Sequence, residues 1–333
     1  MGSLYPFLML PAFDPRPWGT HDLSPIYPNR QFEEKIGEAW LTGDDCKIAN
    51  GPLAGQTLAQ VSENYHRELV GEAARDARRF PLLLKFLFPH EKLSVQVHPD
   101  DAQARRVNQP WGKTECWYVA HAKPGAQIAL GLKLGVTVAQ LEDAIREKRA
   151  EELLNWLNVY TGDMIYVSGG TVHTLGPGSV IVETQQQSDT TYRLYDYGRP
   201  RELHLKEGLA AVKLKVASGK VVRPAPAQIS GSNNRQALLV AAPYFVVDMF
   251  EMKDAQELST RDDSGKSSAQ ILVAVEGCGV VEAAGAEAVT LAKGDAVVVP
   301  ASVEKFTVRP QWTLEVLRAR VAGVELPEPE TRM

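Results

Sequence analysis

The chain has 333 residues, 44% hydrophobic and 23% charged, and its 36 basic and 41 acidic residues give a formal net charge of -5. It is too apolar for a disordered chain, and the mild acidic balance argues against binding to nucleic acid or to an anionic membrane. No apolar run reaches the roughly 18 residues of a membrane helix. Met1 to Leu10 is apolar but lacks a basic flank and a small-residue cleavage site, so it reads as mature protein. Cys46, Cys116 and Cys278 are too few and too widely spaced for a disulfide framework or a Cys-x-x-Cys metal site, which fits a reducing cytoplasm.

Many short apolar runs separated by Gly and Pro predict a mainly β architecture of sandwich or barrel type. Two stretches depart from it. Thr57–Gly71 carries Leu58, Val61, Tyr65 and Leu69 at helical spacing, with Thr57 and Gln60 as a capping box and Gly71 as the stop. Thr137–Leu157 carries Val138, Leu141, Ile145, Leu153, Leu154 and Leu157 among charges and predicts a second helix. A third, short helix is expected over Leu205–Val212.

The Pro-, Ala-, Gly- and Ser-rich segment 217–233 reads as a linker. It separates a first domain, 1–216, from a second β domain, 234–324. The tail, 325–333, is expected to be loosely ordered. Gly162–Val167 resembles Gly294–Val299, which suggests two related domains. Laying Gly162 on Gly294 sets His173 against Lys305, and laying Val119 on Val273 sets Glu115 against Ala269, so only the first domain would keep a metal site.

Four segments carry the chemistry. In Leu93–Pro99 the residues Ser94, Gln96 and His98 alternate with Leu93, Val95 and Val97, so one strand face is polar. In Gly112–Trp117 the residues Lys113, Glu115 and Trp117 share a face, and an inward carboxylate beside a lysine needs compensation. His173 follows a Gly-rich loop. Glu183–Arg193 is polar on both faces and reads as a strand running into a ligand-facing loop. The bland alternatives are solvated strand faces and a surface-loop histidine. Taken together, Gln96, His98, Glu115 and His173 make a mixed nitrogen and oxygen set suited to zinc or a similar divalent ion. Arg193 and Arg199 offer guanidinium groups for an anion.

These segments (LSVQVHPDD, GKTECW, Gly162–His173 and ETQQQSDTTYRLYDYGR), with Trp18-Gly19 and Ile36–Trp40, resemble the type I mannose-6-phosphate isomerases over about the first 215 residues. The resemblance implies two cupin (jelly-roll β-barrel) domains, with the helices added in and around the N-terminal one and a degenerate second cupin. It implies one zinc ion per chain on Gln96, His98, Glu115 and His173. Arg193 matches the active-site arginine, and Lys113, Glu183 and Asp189 match polar residues lining the pocket. Ser94 matches a serine near the sugar phosphate, and Arg199 stands where the family often has lysine.

The implied reaction interconverts mannose 6-phosphate and fructose 6-phosphate through a cis-enediol. Its proton-transfer base stays open among Glu183, Lys113, His98 and Asp189, with Glu183 preferred. The competing functions are a cupin isomerase of another sugar phosphate and a non-catalytic metal- or sugar-binding cupin. A redox cupin is disfavoured by having only two histidines in the cluster.

Overall fold

A computed structural model describes residues 3–333. Among these residues there are three antiparallel sheets, which pack in successive layers, and five short α-helices. The central sheet has eight strands, in the order Ala12–Asp22, Gln31–Trp40, Leu82–Leu87, Ser179–Gln186, Glu115–Ala122, Met164–Val167, Gly219–Val221 and Thr331–Arg332. A five-stranded sheet runs Tyr192–Tyr195, Val95–Val97, His173–Leu175, Gln127–Leu132, Leu154–Asn158.

Alternation along the strands explains the layering. Leu87, Trp117, Val119, Ile165 and Ile181 of the central sheet meet Ile128, Leu130 and Leu175 of the five-stranded sheet in one apolar core. The intervening residues Leu84, Phe86, Cys116, Tyr118 and Val182 face the other way. They pack on Val247, Met249, Ile271, Val273, Leu317 and Ala319 of a nine-stranded sheet built mostly from the C-terminal half. That third sheet encloses its own core around Phe250, Leu272, Leu291 and Val316.

The first helical expectation holds as Leu58–Tyr65 and Arg67–Val70, interrupted at His66 (φ 47°), with the capping box on Thr57 and Gln60 in place. The second holds only as Val138–Arg146. A 3-10 turn follows at Ala150–Leu153, and then the strand Leu154–Asn158. Lys148, at φ 60°, breaks the helix, and Leu154 is buried under the five-stranded sheet rather than on a helix face. The third helix is Leu205–Ala211.

The halves are laced together more closely than a linker and a free tail suggest. Phe7–Met9 pairs with Ala296–Val298 of the C-terminal half. Within 217–233, Gly219–Val221 joins the central sheet and receives Thr331–Arg332 of the tail as its neighbour. Unpaired backbone at a sheet edge favours such pairing, and composition alone does not reveal it.

The internal repeat is real in its hydrogen bonds but shifted by one residue. Gly162 N–H donates to Val119 O (2.8 Å), and Gly294 N–H to Ala274 O (2.9 Å). Val119 therefore matches Ala274, not Val273. Glu115, opposite Val167, then matches Gln270, opposite Val299, and not Ala269.

Candidate metal centre and active-site cavity

The apolar layer between the central and five-stranded sheets turns polar at one end, and the strand registers fix which side chains meet there. Arg193, Gln96 and His173 lie side by side across three adjacent strands of the five-stranded sheet. Lys85, Glu183 and Trp117 form a parallel row on the central sheet. The two rows face each other, with the Trp117 and His173 rings 5.4 Å apart at 64°.

His98, Glu115 and His173 converge between these rows, all essentially buried, with one ligand atom from each within 4.8 Å of the others. His98 Nε2 is 3.6 Å from Glu115 Oε2, and His173 Nε2 is 3.5 Å from Glu115 Oε1. His98 Nδ1 faces Thr190 O at 3.1 Å, and His173 Nδ1 faces Thr171 O at 2.9 Å. Each ring therefore donates through Nδ1 and turns the Nε2 lone pair inward, which is how a ligating histidine is oriented.

Burial depresses both imidazole pKa values, His173 to about 4 and His98 well below its ordinary value, so both rings stay neutral. Burial, then the charge of Glu183, pushes the Glu115 carboxyl up despite Lys113 and Lys85. His98 Nε2 and both Glu115 oxygens have no hydrogen-bond partner. Three buried, unpartnered electron-pair donors at one point are costly without a cation. Two neutral imidazoles and a carboxylate fit zinc or a similar divalent ion. Gln96 sits 3.2 Å from His173 Nε2 through its amide nitrogen, and a half-turn of the amide puts the carbonyl oxygen there instead.

Gln96 also lines a cavity of about 470 Å³ with Arg16, Ser94, Lys113, Glu183, Asp189, Arg193 and Arg201. Trp117 Nε1–H donates to Glu183 Oε2 (3.0 Å), and Lys85 Nζ lies 3.3 Å from Glu183 Oε1. Lys113 Nζ is 3.5 Å from Glu115 Oε2. Arg193 donates from Nη1 to Glu202 O (2.8 Å), while its buried Nε–H has no partner. Of the residues singled out in the sequence, His98, Glu115 and His173 stand in the buried cluster behind this lining, and Arg199 belongs to neither. Its guanidinium is held by Asp196 (3.2 Å), and Asp196 also takes both arms of Arg201 (2.6 and 2.8 Å).

Sequence reasoning missed Lys85, Glu38, Arg16 and Arg201. Lys85 is 3% exposed and lies 3.3 Å from Glu38, 3.3 Å from Glu183 and 3.8 Å from Asp189. Burial opposes its charge, but these carboxylates outweigh it and raise its pKa. Glu38 is likewise pulled down to about 2, against its own burial, by Lys85 and Arg16. The signal was available. A single lysine inside Leu82-Leu83-Leu84-Lys85-Phe86-Leu87 cannot be buried without acidic partners.

The family model for the catalytic domain of type I phosphomannose isomerase matches residues 20–110, and that for the cupin domain of mannose-6-phosphate isomerase matches residues 235–318. A mannose-6-phosphate isomerase of Streptococcus mutans is 33% identical over 300 residues, which span 87% of this chain and 90% of that protein.

The chain belongs to the type I mannose-6-phosphate isomerase family.

The mannose-6-phosphate isomerase ManA of Bacillus subtilis is 39% identical over 223 residues, 63% of this chain and 68% of that one. A crystal structure of the mannose 6-phosphate isomerase from Bacillus subtilis superposes with a TM-score of 0.83 at 31% identity, covering 95% of this chain and 99% of that chain. The mainly β, cupin-family fold expected of this family is the one observed.

Proposed function

We propose that this cavity interconverts mannose 6-phosphate and fructose 6-phosphate with one zinc ion per chain, held by Gln96, His98, Glu115 and His173. The observation that carries the reading is the set of unpartnered donor atoms on His98 and Glu115 beside a cavity rich in opposed charges. When bound, the metal would supply positive charge that lowers the cost of negative charge on a substrate oxygen.

The remaining steps belong to the protein. Aldose and ketose differ by one proton carried from C2 to C1, while the hydroxyl proton moves from O2 to O1. Glu183 is the proposed carrier. It removes the C2 proton to give the cis-enediol and returns it to C1. Trp117 Nε1–H and Lys85 fix its two oxygens, so it is aimed before substrate arrives. Lys113 and Asp189 would handle the hydroxyl protons. Ser94, Arg193 and Arg201 would receive the phosphate, with Arg199 bracing Asp196 behind Arg201. The three cysteines are unpaired, and with a phosphorylated metabolite as substrate they support a cytoplasmic location.

The test is a substrate panel of mannose 6-phosphate, glucose 6-phosphate, ribose 5-phosphate and free mannose. Mannose 6-phosphate should be isomerised fastest. Free mannose should fall by about 10²-fold or more in kcat/KM, because a dianion paired with a guanidinium contributes roughly 2–5 kcal/mol. Faster turnover of another sugar phosphate would reassign the substrate. No turnover of any sugar would leave a binding protein.

A further inference from the structure

The segment just before the strand Glu115–Ala122 carries Lys113 and leads into Glu115, yet it is not itself part of a sheet. Its three consecutive amides are held by other means. Gly112 N–H donates to Asp101 Oδ1 (2.9 Å), Lys113 N–H to Pro99 O (2.9 Å) and Thr114 N–H to Gln186 Oε1 (2.9 Å). The Gln186 side chain then donates through Nε2 to the same Asp101 Oδ1 (2.9 Å), and its own backbone N–H reaches Thr114 O (3.2 Å). Gln186 is 4% exposed and does not line the catalytic cavity.

The network continues outward. Arg75 Nη1 lies 2.8 Å from Asp101 Oδ2, and its guanidinium sits 5.0 Å over the ring of Tyr244, which belongs to the C-terminal half.

We propose that Gln186 is a positioning residue: with Asp101 it sets where Lys113 and Glu115 stand, and it ties that placement to the C-terminal half through Arg75 and Tyr244. This deepens the functional reading above and rests on it. Each end of the Gln186 amide is engaged, one on the backbone between Lys113 and Glu115 and one on the carboxylate that also holds Gly112. A side chain that only filled space would need neither bond. Loss of the amide leaves a buried Thr114 N–H unpaired and frees the segment to shift. A shift of about 1 Å in such groups is enough to lower turnover substantially.

The experiment compares Gln186→Leu, Asp101→Ala, Asp101→Asn and the double variant Gln186→Leu/Asp101→Ala in the full-length chain, well below each melting temperature. Leu291→Ala, in the distant C-terminal core, serves as a control for simple destabilisation. The readouts are kcat, KM, zinc affinity by chelator competition, and hydrogen exchange at the Thr114 amide. Gln186→Leu should weaken zinc binding and lower kcat by roughly 10- to 100-fold, as loss of groups that orient ligands does, with little change in KM. Thr114 exchange should rise.

Asp101→Ala should match it, and the double variant should be no worse than either single one. Asp101→Asn keeps a carbonyl oxygen for Gly112 and Gln186 and should stay within about threefold of the parent. Leu291→Ala should melt lower with kcat and zinc affinity unchanged. If Gln186→Leu only lowers the melting temperature, with kcat and zinc affinity within about twofold of the parent, the inference fails. A parent protein that neither turns over nor binds zinc would instead sink the functional reading beneath it.

Discussion

The Glu115→Gln variant is expected to lose at least about 10³-fold in kcat, while its metal-free form melts no lower than the parent. The two parts have one cause. Glu115 is the only carboxylate of the proposed ligand set, and its own side chain is fully buried. Removing its charge weakens the metal, and a metal in this role is worth several kcal/mol of transition-state stabilisation, at about 1.4 kcal/mol per tenfold in rate. In the metal-free protein the same carboxylate is a burden, because burial raises its pKa.

The sign follows from linkage. A carboxyl whose folded pKa lies above its unfolded one costs stability at pH values above its ordinary range, and costs nothing below it. The melting temperature of the metal-free variant should therefore gain on that of the metal-free parent between pH 5 and pH 8. Added zinc should raise the melting temperature of the parent, by about 2.7 kcal/mol of stability at a hundredfold excess over Kd, and leave the variant nearly unmoved. The C-terminal half supports the substitution sterically, since it carries Gln270 at the matching position, 1% exposed. A variant that keeps both turnover and its zinc-dependent stabilisation would remove Glu115 from the ligand set.

The Arg193→Ala variant should lose about 10²- to 10³-fold in kcat/KM and keep its metal. Arg193 stands in register beside Gln96, which separates it from His173. The residue lines the cavity; its guanidinium uses one arm on Glu202 O, and its Nε–H has no partner. Burial lowers its pKa, but an arginine remains charged at neutral pH. A guanidinium on a cavity wall that pairs with a phosphate dianion is worth roughly 2–5 kcal/mol. Metal analysis separates the two roles. Zinc at full occupancy with poor turnover fits a substrate-binding arginine, whereas zinc loss would mean that Arg193 props up Gln96 instead.

Much of this site could be read before the structure, for a definite reason. Period-two alternation puts Ser94, Gln96 and His98 on one face, and only the neighbours of that face were unknown. Leu93 breaks the pattern, packing between the sheets while Val95 and Val97 face the helices. The rows Arg193–Gln96–His173 and Lys85–Glu183–Trp117 arise from cross-strand register, which no local pattern contains. Arg199 looked like a cavity residue and Arg201, two positions on, did not, because both lie in the loop after Tyr192–Tyr195, where pairing with Asp196 rather than alternation holds them. The helix expected over 137–157 ran too long because its apolar spacing also suits a strand after Leu153.

The one-residue shift in the repeat changes what the C-terminal half means. With Glu115 matched to Gln270, Glu183 matches Arg318 and Lys85 matches Asp248. The buried ion pair is kept with its signs exchanged: Arg318 Nη2 lies 2.6 Å from Asp248. Among the described residues the only cluster of metal-binding type is that of His98, Glu115 and His173. The second half thus keeps a buried ion pair at the positions that match Lys85 and Glu183.

One measurement tests the central claim most directly. Formation of fructose 6-phosphate from mannose 6-phosphate would be followed in a coupled assay on the protein as purified, after removal of metal by a chelator, and after return of one equivalent of zinc. Activity should vanish with the metal and come back with it, saturating at one zinc per chain. Undiminished turnover in protein shown by metal analysis to be metal-free would contradict the account, as would absence of turnover at full zinc occupancy.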